Sequence, residues 1–341
     1  MSGKKQAPAW WYNPDVLVPF WAHAGEAVFR LASRTRAKLY EKQWKRAFHP
    51  GVPVIVVGNI SVGGTGKTPL VMALIAHLQA AGYTPGLATR GYGRANPKQA
   101  LWVDADTPAA IGGDEPVMIA KATGVRVRAD AKRARAARAL VESGCDVIVC
   151  DDGLQHYGLA RDIEIEVIDA LRGYGNGRLL PGGPLRESPA GASRFDFRVV
   201  NLGALPDEAA TRIDPAFQAM FVRPTRVKAL NSARTATLAA FKGQRVHAVA
   251  GIGHPQRFFD MLKQHEIAVV PHPFPDHHAF SEADFAFSSD LPVLMTSKDA
   301  SKCTAFAQDH WYEISVDAVM PAGFWSALDV KLKALKGHPN E

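Results

Sequence analysis

The chain has 341 residues, of which 47% are hydrophobic and 21% charged, and a formal net charge of +7. That length accommodates a full α/β core and a second domain, and the composition is that of a soluble globular protein rather than a disordered or fibrous one. Cys145, Cys150 and Cys303 are odd in number and lack metal-ligand spacing, which excludes a disulfide framework or zinc site and fits reduced thiols in a cytosolic protein.

No signal peptide is expected, and no run qualifies as a membrane-crossing helix, because Val16 to Ala32 is interrupted by Pro19, His23, Glu26 and Arg30. Residues 1–50 carry nine Lys/Arg against three Asp/Glu, so most of the net charge lies there. Within residues 10–48, Leu17, Phe20, Trp21, Ala24, Val28 and Leu31 recur at helical spacing, with Arg34, Arg36, Lys38, Lys42, Lys45 and Arg46 following. Such a helix packs its stripe either on the protein core or on a lipid interface. The Trp and Lys/Arg enrichment favours the second, with an anionic inner-membrane surface as the partner.

Val52 to Pro69, VPVIVVGNISVGGTGKTP, reads as an apolar strand, a glycine-rich turn and a helix start. This is the context that a phosphate-binding P-loop requires. The amides of Ser61, Val62, Gly63, Gly64, Thr65 and Gly66 can curl round ATP phosphates, Lys67 can reach the β- and γ-phosphates, and the Thr68 hydroxyl can ligate Mg²⁺. Ser61 stands where the common pattern has its first glycine.

A second strand, Thr84 to Thr89, runs into Arg90-Gly91-Tyr92-Gly93-Arg94, at the strand end that faces the ligand in a parallel sheet. Gly112-Gly113-Asp114-Glu115-Pro116 then opens a helix, and its acidic pair either caps that helix or supplies a base for a hydroxyl proton. Residues 126–138, RVRADAKRARAAR, read as a basic helix with a solvated face.

The strand Val147 to Cys150 ends in Asp151-Asp152, which suits Mg²⁺ or its waters when the strand lies beside a P-loop strand. Gln155 and His156 follow, and His156 either orients a substrate or satisfies its own loop. Ile163 to Ile168 is another strand, and the long loop from Gly173 to Glu187 offers Arg178, Arg186 and Glu187 as ligand contacts.

The pattern weakens around Arg223 to Ala236. Strand-like runs at Val246 to Ala250, Ile267 to Val270, Val293 to Thr296 and Tyr312 to Val316 then alternate with helices, as in a second α/β domain. Phe274 to Phe280, FPDHHAF, gathers an acid and two imidazoles, and a metal site there would need a further ligand. A nucleic-acid role is not expected, since the basic excess coincides with the aromatic helix.

Taken together, SVGGTGKTP, RGYGR, GGDEP, DDGLQH, LLPGGPLRE, AGIGHPQRFF, FPDHHAF and TSKDASK, in this order, resemble the tetraacyldisaccharide 4′-kinase (LpxK) family of lipid A biosynthesis. The resemblance implies transfer of the ATP γ-phosphate to the 4′-hydroxyl of a tetraacyl glucosamine disaccharide 1-phosphate. It also implies an α/β fold: a mostly parallel P-loop NTPase-type core, an N-terminal amphipathic helix, and a smaller α/β domain that closes over nucleotide. The corresponding segments are residues 1–50, 51–225 and 226–341.

Matched motif by motif, Asp114 is the implied base, supported by His277, with the adjoining His278 as the alternative. Lys67 and Thr68 handle phosphates and Mg²⁺, with Asp151, Asp152, Glu115 and Glu187 near the metal. Arg186 meets nucleotide, and Arg90, Tyr92 and His156 meet the lipid substrate.

Overall fold

The structure is a computed structural model that describes residues 7–336. After α1 (Phe20–Glu41), the chain alternates β1 (Val54–Gly58), α2 (Lys67–Ala80), β2 (Pro85–Thr89), β3 (Leu101–Val103), α3 (Ala109–Gly112), α4 (Asp114–Thr123), β4 (Arg126–Ala129), α5 (Arg133–Glu142) and β5 (Val147–Asp151). It continues through β6 (Ile163–Asp169), β7 (Phe197–Gly203), β8 (Gln218–Ala229) and β9 (Thr235–Ala236). The last third holds β10 (Arg245–Ala250), α6 (Pro255–Gln264), β11 (Ala268–Pro273), β12 (Val293–Thr296), α7 (Ser297–Cys303), β13 (Trp311–Val319) and α8 (Ala322–Lys336).

Among the described residues these strands form one 13-stranded sheet in the order β11-β10-β12-β13-β8-β7-β6-β1-β5-β2-β4-β3, with β9 on β8. Pairing is parallel except at β3–β4, β8–β13 and β8–β9. Both faces are covered, and β1, VIVVG, is accordingly apolar and buried at every position. Ile55 and Val57 of β1 pack with Leu70 and Leu74 of α2 and with Ile119 of α4, whereas Val54 and Val56 pack with Ala136 and Leu140 of α5. Phe324, Leu328 and Leu332 bring α8 back onto the first of these clusters.

Two stretches differ from their sequence reading. Residues 126–138 are not one basic helix: β4 ends at Ala129, where inward Val127 and Ala129 alternate with Arg126 and Arg128, and α5 starts only at Arg133. Arg133 does not belong to a solvated face, being buried at 3% exposure. The weak stretch from Arg223 to Ala236 takes in the second half of the long strand β8 and also β9; β8 pairs parallel with β7 and antiparallel with β13. Pro224 lies in it at a register shift opposite Ser315 and Val316, the kind of bulge that admits proline and blurs strand periodicity. The expected start of the second domain at 226 falls inside this strand.

Candidate functional site

The carboxyl ends of β1, β5 and β2 carry the P-loop, Asp151-Asp152 and Arg90 to one edge of the sheet. β5 pairs with β1, and Val57 lies opposite Asp151, so the acidic corner adjoins the P-loop as its sequence implied. A cleft of about 1350 Å³ opens there, and its lining includes Gly66, Lys67, Thr68 and Glu115 from one side and Arg257 and Lys298 from the other.

Gly66 precedes α2 in the left-handed region at φ +77°, which lets the loop turn into the helix. Neighbours clamp the loop. Val62 donates to the Pro184 carbonyl at 2.8 Å, Ser61 bridges to Leu185, and Asn201 on β7 donates its amide to the Thr65 carbonyl at 2.9 Å. Lys67 Nζ donates to Asn59 Oδ1 at 2.9 Å and lies 3.5 Å from Asp152. Asn59 and Asn201 escaped the sequence reading because a lone asparagine in or just after a strand carries no spacing signal.

Asp151 is buried, and its Oδ1 has no partner among the described residues. Burial first, and then the charge of Glu115, push its carboxyl up to about 7 against the pull of Lys67. Burial would raise Asp152 as well, but Lys67 and Arg186 outweigh it and hold that carboxyl below its ordinary value. An orphaned buried carboxylate oxygen, repelled by two neighbouring acids, is a fitting environment for a divalent cation. No three carboxylate, imidazole or thiol side chains converge on one point among the described residues. Coordination would therefore have to be completed by oxygens of Thr68, nucleotide and water.

Arg186 lies 3.3 Å from Asp152 Oδ1 and donates to Gln155 Oε1 at 3.1 Å. Glu187 is engaged elsewhere, by Gln155 at 2.6 Å and Arg194 at 2.8 Å.

Asp114 and Glu115 open α4, yet neither side chain caps it. Asp114 Oδ2 instead meets His277 Nδ1 at 2.9 Å, across 163 positions of sequence. Burial would raise its carboxyl, but hydrogen bonding from His277 and the charge of Lys302 hold it below the ordinary range. His278 turns the other way, 3.2 Å from Asp284 and packed on Phe274 and Phe280, so the geometry separates the two imidazoles. The Tyr92 ring lies 5.4 Å from that of His277.

Arg90 is exposed, whereas Arg94 is a buried peg that donates to the carbonyls of Pro97, Gln99 and Ala129. Burial, and then the charges of Arg133 and Arg36, push His156 down to about 4, which makes it a neutral imidazole in a cationic corner.

The family described as tetraacyldisaccharide-1-P 4′-kinase (LpxK) matches residues 19–333 of this chain. The chain belongs to that family. A tetraacyldisaccharide 4′-kinase of Stenotrophomonas maltophilia (strain R551-3) is 54% identical over 338 residues, 98% of this chain and 99% of the relative. Another, of Xylella fastidiosa (strain 9a5c), is 52% identical over 328 residues, 96% of each. The crystal structure of LpxK from Aquifex aeolicus in complex with ATP superposes with a TM-score of 0.76 at 26% identity, covering 91% of this chain and 98% of that one. The P-loop, acidic corner and Asp114–His277 pair described above are thus features of an LpxK-family chain with an LpxK-like fold.

Proposed function

We propose that this chain is an ATP-dependent lipid kinase that phosphorylates the 4′-hydroxyl of a tetraacyl glucosamine disaccharide 1-phosphate, forming lipid IVA. Family membership supports the substrate. The observation that carries the chemistry is the 2.9 Å contact between Asp114 and His277. It lies beside Glu115, Asp276 and Lys298, which line the P-loop cleft.

In this reading the amides of residues 61–66 and the Lys67 ammonium hold the ATP phosphates, assisted by Arg186. Thr68 would hold Mg²⁺, with Asp151, Asp152 and Glu115 available near it, and Glu187 orders Arg186 through their shared partner Gln155. The ion, when bound, neutralises charge on the β- and γ-phosphates. Asp114 takes the proton of the acceptor hydroxyl while His277 holds its other oxygen. Phosphoryl transfer asks mainly for positioning and charge neutralisation, so the base adds about 10²- to 10⁴-fold to what the P-loop supplies. Arg90, Tyr92 and His156 face the lipid headgroup.

An acylated acceptor stays in its bilayer, so the enzyme must reach the interface. Residues 10–48 are suited to this, because Leu17, Phe20, Trp21, Val28, Leu31 and Trp44 are each at least 60% exposed rather than core. No helix among the described residues is long and apolar enough to cross a membrane. In this reading the chain binds peripherally at the cytoplasmic side of the inner membrane of a Gram-negative bacterium. Residues 51–225 are read as the kinase core and 226–341 as the smaller domain that closes over nucleotide.

The test incubates the purified chain with γ-labelled ATP, Mg²⁺ and the disaccharide 1-phosphate in detergent micelles. Label on the lipid is expected. Release of inorganic phosphate at a rate indifferent to the lipid would identify a nucleotide hydrolase instead.

A further inference from the structure

Helix α7 sends two lysines toward the pair that opens this reaction, and the sequence reading gave them no role. Lys302 Nζ lies 3.0 Å from Asp114 Oδ2, the same oxygen that meets His277 Nδ1. It also donates to the His278 carbonyl at 3.2 Å and lies 3.7 Å from Asp299 Oδ1. The Asp114 carboxylate and the His278 carbonyl hold the ammonium from two directions, and the Asp299 charge acts on it at longer range, so the head group is held rather than swinging. Lys298 Nζ donates to Asp276 Oδ1 at 2.8 Å and stands 3.5 Å from His277 Nε2. Lys298 and Asp276 thus flank the Nε2 side of the ring while Nδ1 faces Asp114.

A carboxylate can turn about its last side-chain bond and offer either oxygen. Two donors on Oδ2, arriving from separate segments of the C-terminal part of the chain, remove that freedom and leave Oδ1 for the acceptor. We propose that Lys302 is a positioning residue for the phosphoryl transfer: it pins Asp114 through Oδ2 so that Oδ1 is presented to the hydroxyl. The pin reaches the core from α7, so the base is completed only when the C-terminal part of the chain is docked. The bland rival is that Lys302 serves only to neutralise Asp299, which is fully buried behind it.

This inference rests on Asp114 acting as the base, and the experiment separates the two. Full-length wild type, Lys302→Met, Lys302→Arg and Asp114→Asn, and the Asp114→Asn/Lys302→Met double variant, are assayed with ATP, Mg²⁺ and the tetraacyl disaccharide in micelles. Lys302→Met is expected to lower kcat roughly 10- to 100-fold, the scale of a misplaced reacting group, with KM for ATP unchanged. Lys302→Arg restores most of it, since a guanidinium reaches the same oxygen. In the Asp114→Asn background Lys302→Met should change kcat less than about twofold, because the group it positions is already disabled.

Equal losses in both backgrounds, or a kcat for Lys302→Met within about twofold of wild type, overturn the proposal. Full kcat in Asp114→Asn overturns the base reading and the proposal with it. Should Lys302→Met fail to fold, Lys302→Gln, which keeps a donor for the His278 carbonyl without the charge, is read against the same outcomes.

Discussion

Gly66 meets two demands at once. Its φ of +77° costs a residue with a Cβ about 1–2 kcal/mol, and a Cβ built there would collide with the Asn201 amide, which holds the Thr65 carbonyl. Gly66→Ala is therefore expected to fold but to lose ATP affinity by about tenfold or more, as read by equilibrium titration. Undiminished binding would mean that the loop does not hold the nucleotide in this shape.

His156 allows a sharper test at the same scale. Its folded value near 4 lies below the ordinary one, so the neutral form is the native one and its contribution is fully present above about pH 6.5. As pH falls from there toward 4 the unfolded chain takes up the proton first, and that contribution is lost. Imidazole resonances of His156 should show no titration between pH 8 and 5.5, and wild type should lose its stability advantage over His156→Gln as pH drops from about 6.5 toward 4. A midpoint near 6.5 would remove His156 from the Arg133 and Arg36 corner.

At the scale of single elements, α1 separates packing from display. Only Ala22 and Glu26 of that helix are buried, and Glu26 is tied to Arg178 at 3.0 Å and to the Leu179 amide at 3.3 Å. The helix is therefore fastened to the loop at 178–179 by a charge while its aromatic stripe faces outward. Replacing Phe20 and Leu31, 88% and 70% exposed, with serine should leave thermal stability nearly unchanged, as exposed substitutions do. Co-sedimentation with anionic vesicles should fall by about tenfold or more, since each side chain brings of order 1.5 kcal/mol or more when taken out of water. Lost stability with unchanged vesicle binding would return the stripe to the core.

The sequence alone left that choice open, because helical spacing reports a face and not what covers it. Glycine spacing and two apolar strands made the P-loop and Asp151-Asp152 legible. β4 was hidden beneath four alternating residues inside a basic run, and β8 behind its proline. The pairing of Asp114 with His277 rather than His278 depends on tertiary contact alone, and no local pattern could separate the two.

Across the whole molecule, the nucleotide cleft is bordered by parts of the chain far apart in sequence, and one carboxylate ties them together. Asp169, at the end of β6 and 1% exposed, accepts from Arg257 on α6 at 2.7 Å and from the Arg172 backbone at 3.0 Å. Arg172 in turn donates to the Gly64 carbonyl, so α6 is linked through Asp169 and Arg172 to the P-loop itself. Burial would raise the Asp169 carboxyl, yet the Arg257 hydrogen bond and charge hold it below its ordinary value. The bridge is thus intact at neutral pH and is lost only as pH falls through that lowered value.

Arg257→Met removes one arm and leaves Arg172 as the carboxylate's counter-charge, so the chain should still fold with reduced thermal stability. If the bridge also sets the position of α6 against the P-loop, ATP affinity should fall about tenfold at pH 7.5, and saturating ATP should recover less of the lost stability than it gives wild type, because ligand stabilisation scales with affinity. The two effects are separable by thermal shift with and without nucleotide. Equal nucleotide-induced shifts in variant and wild type would make Asp169–Arg257 a structural tie with no part in holding ATP.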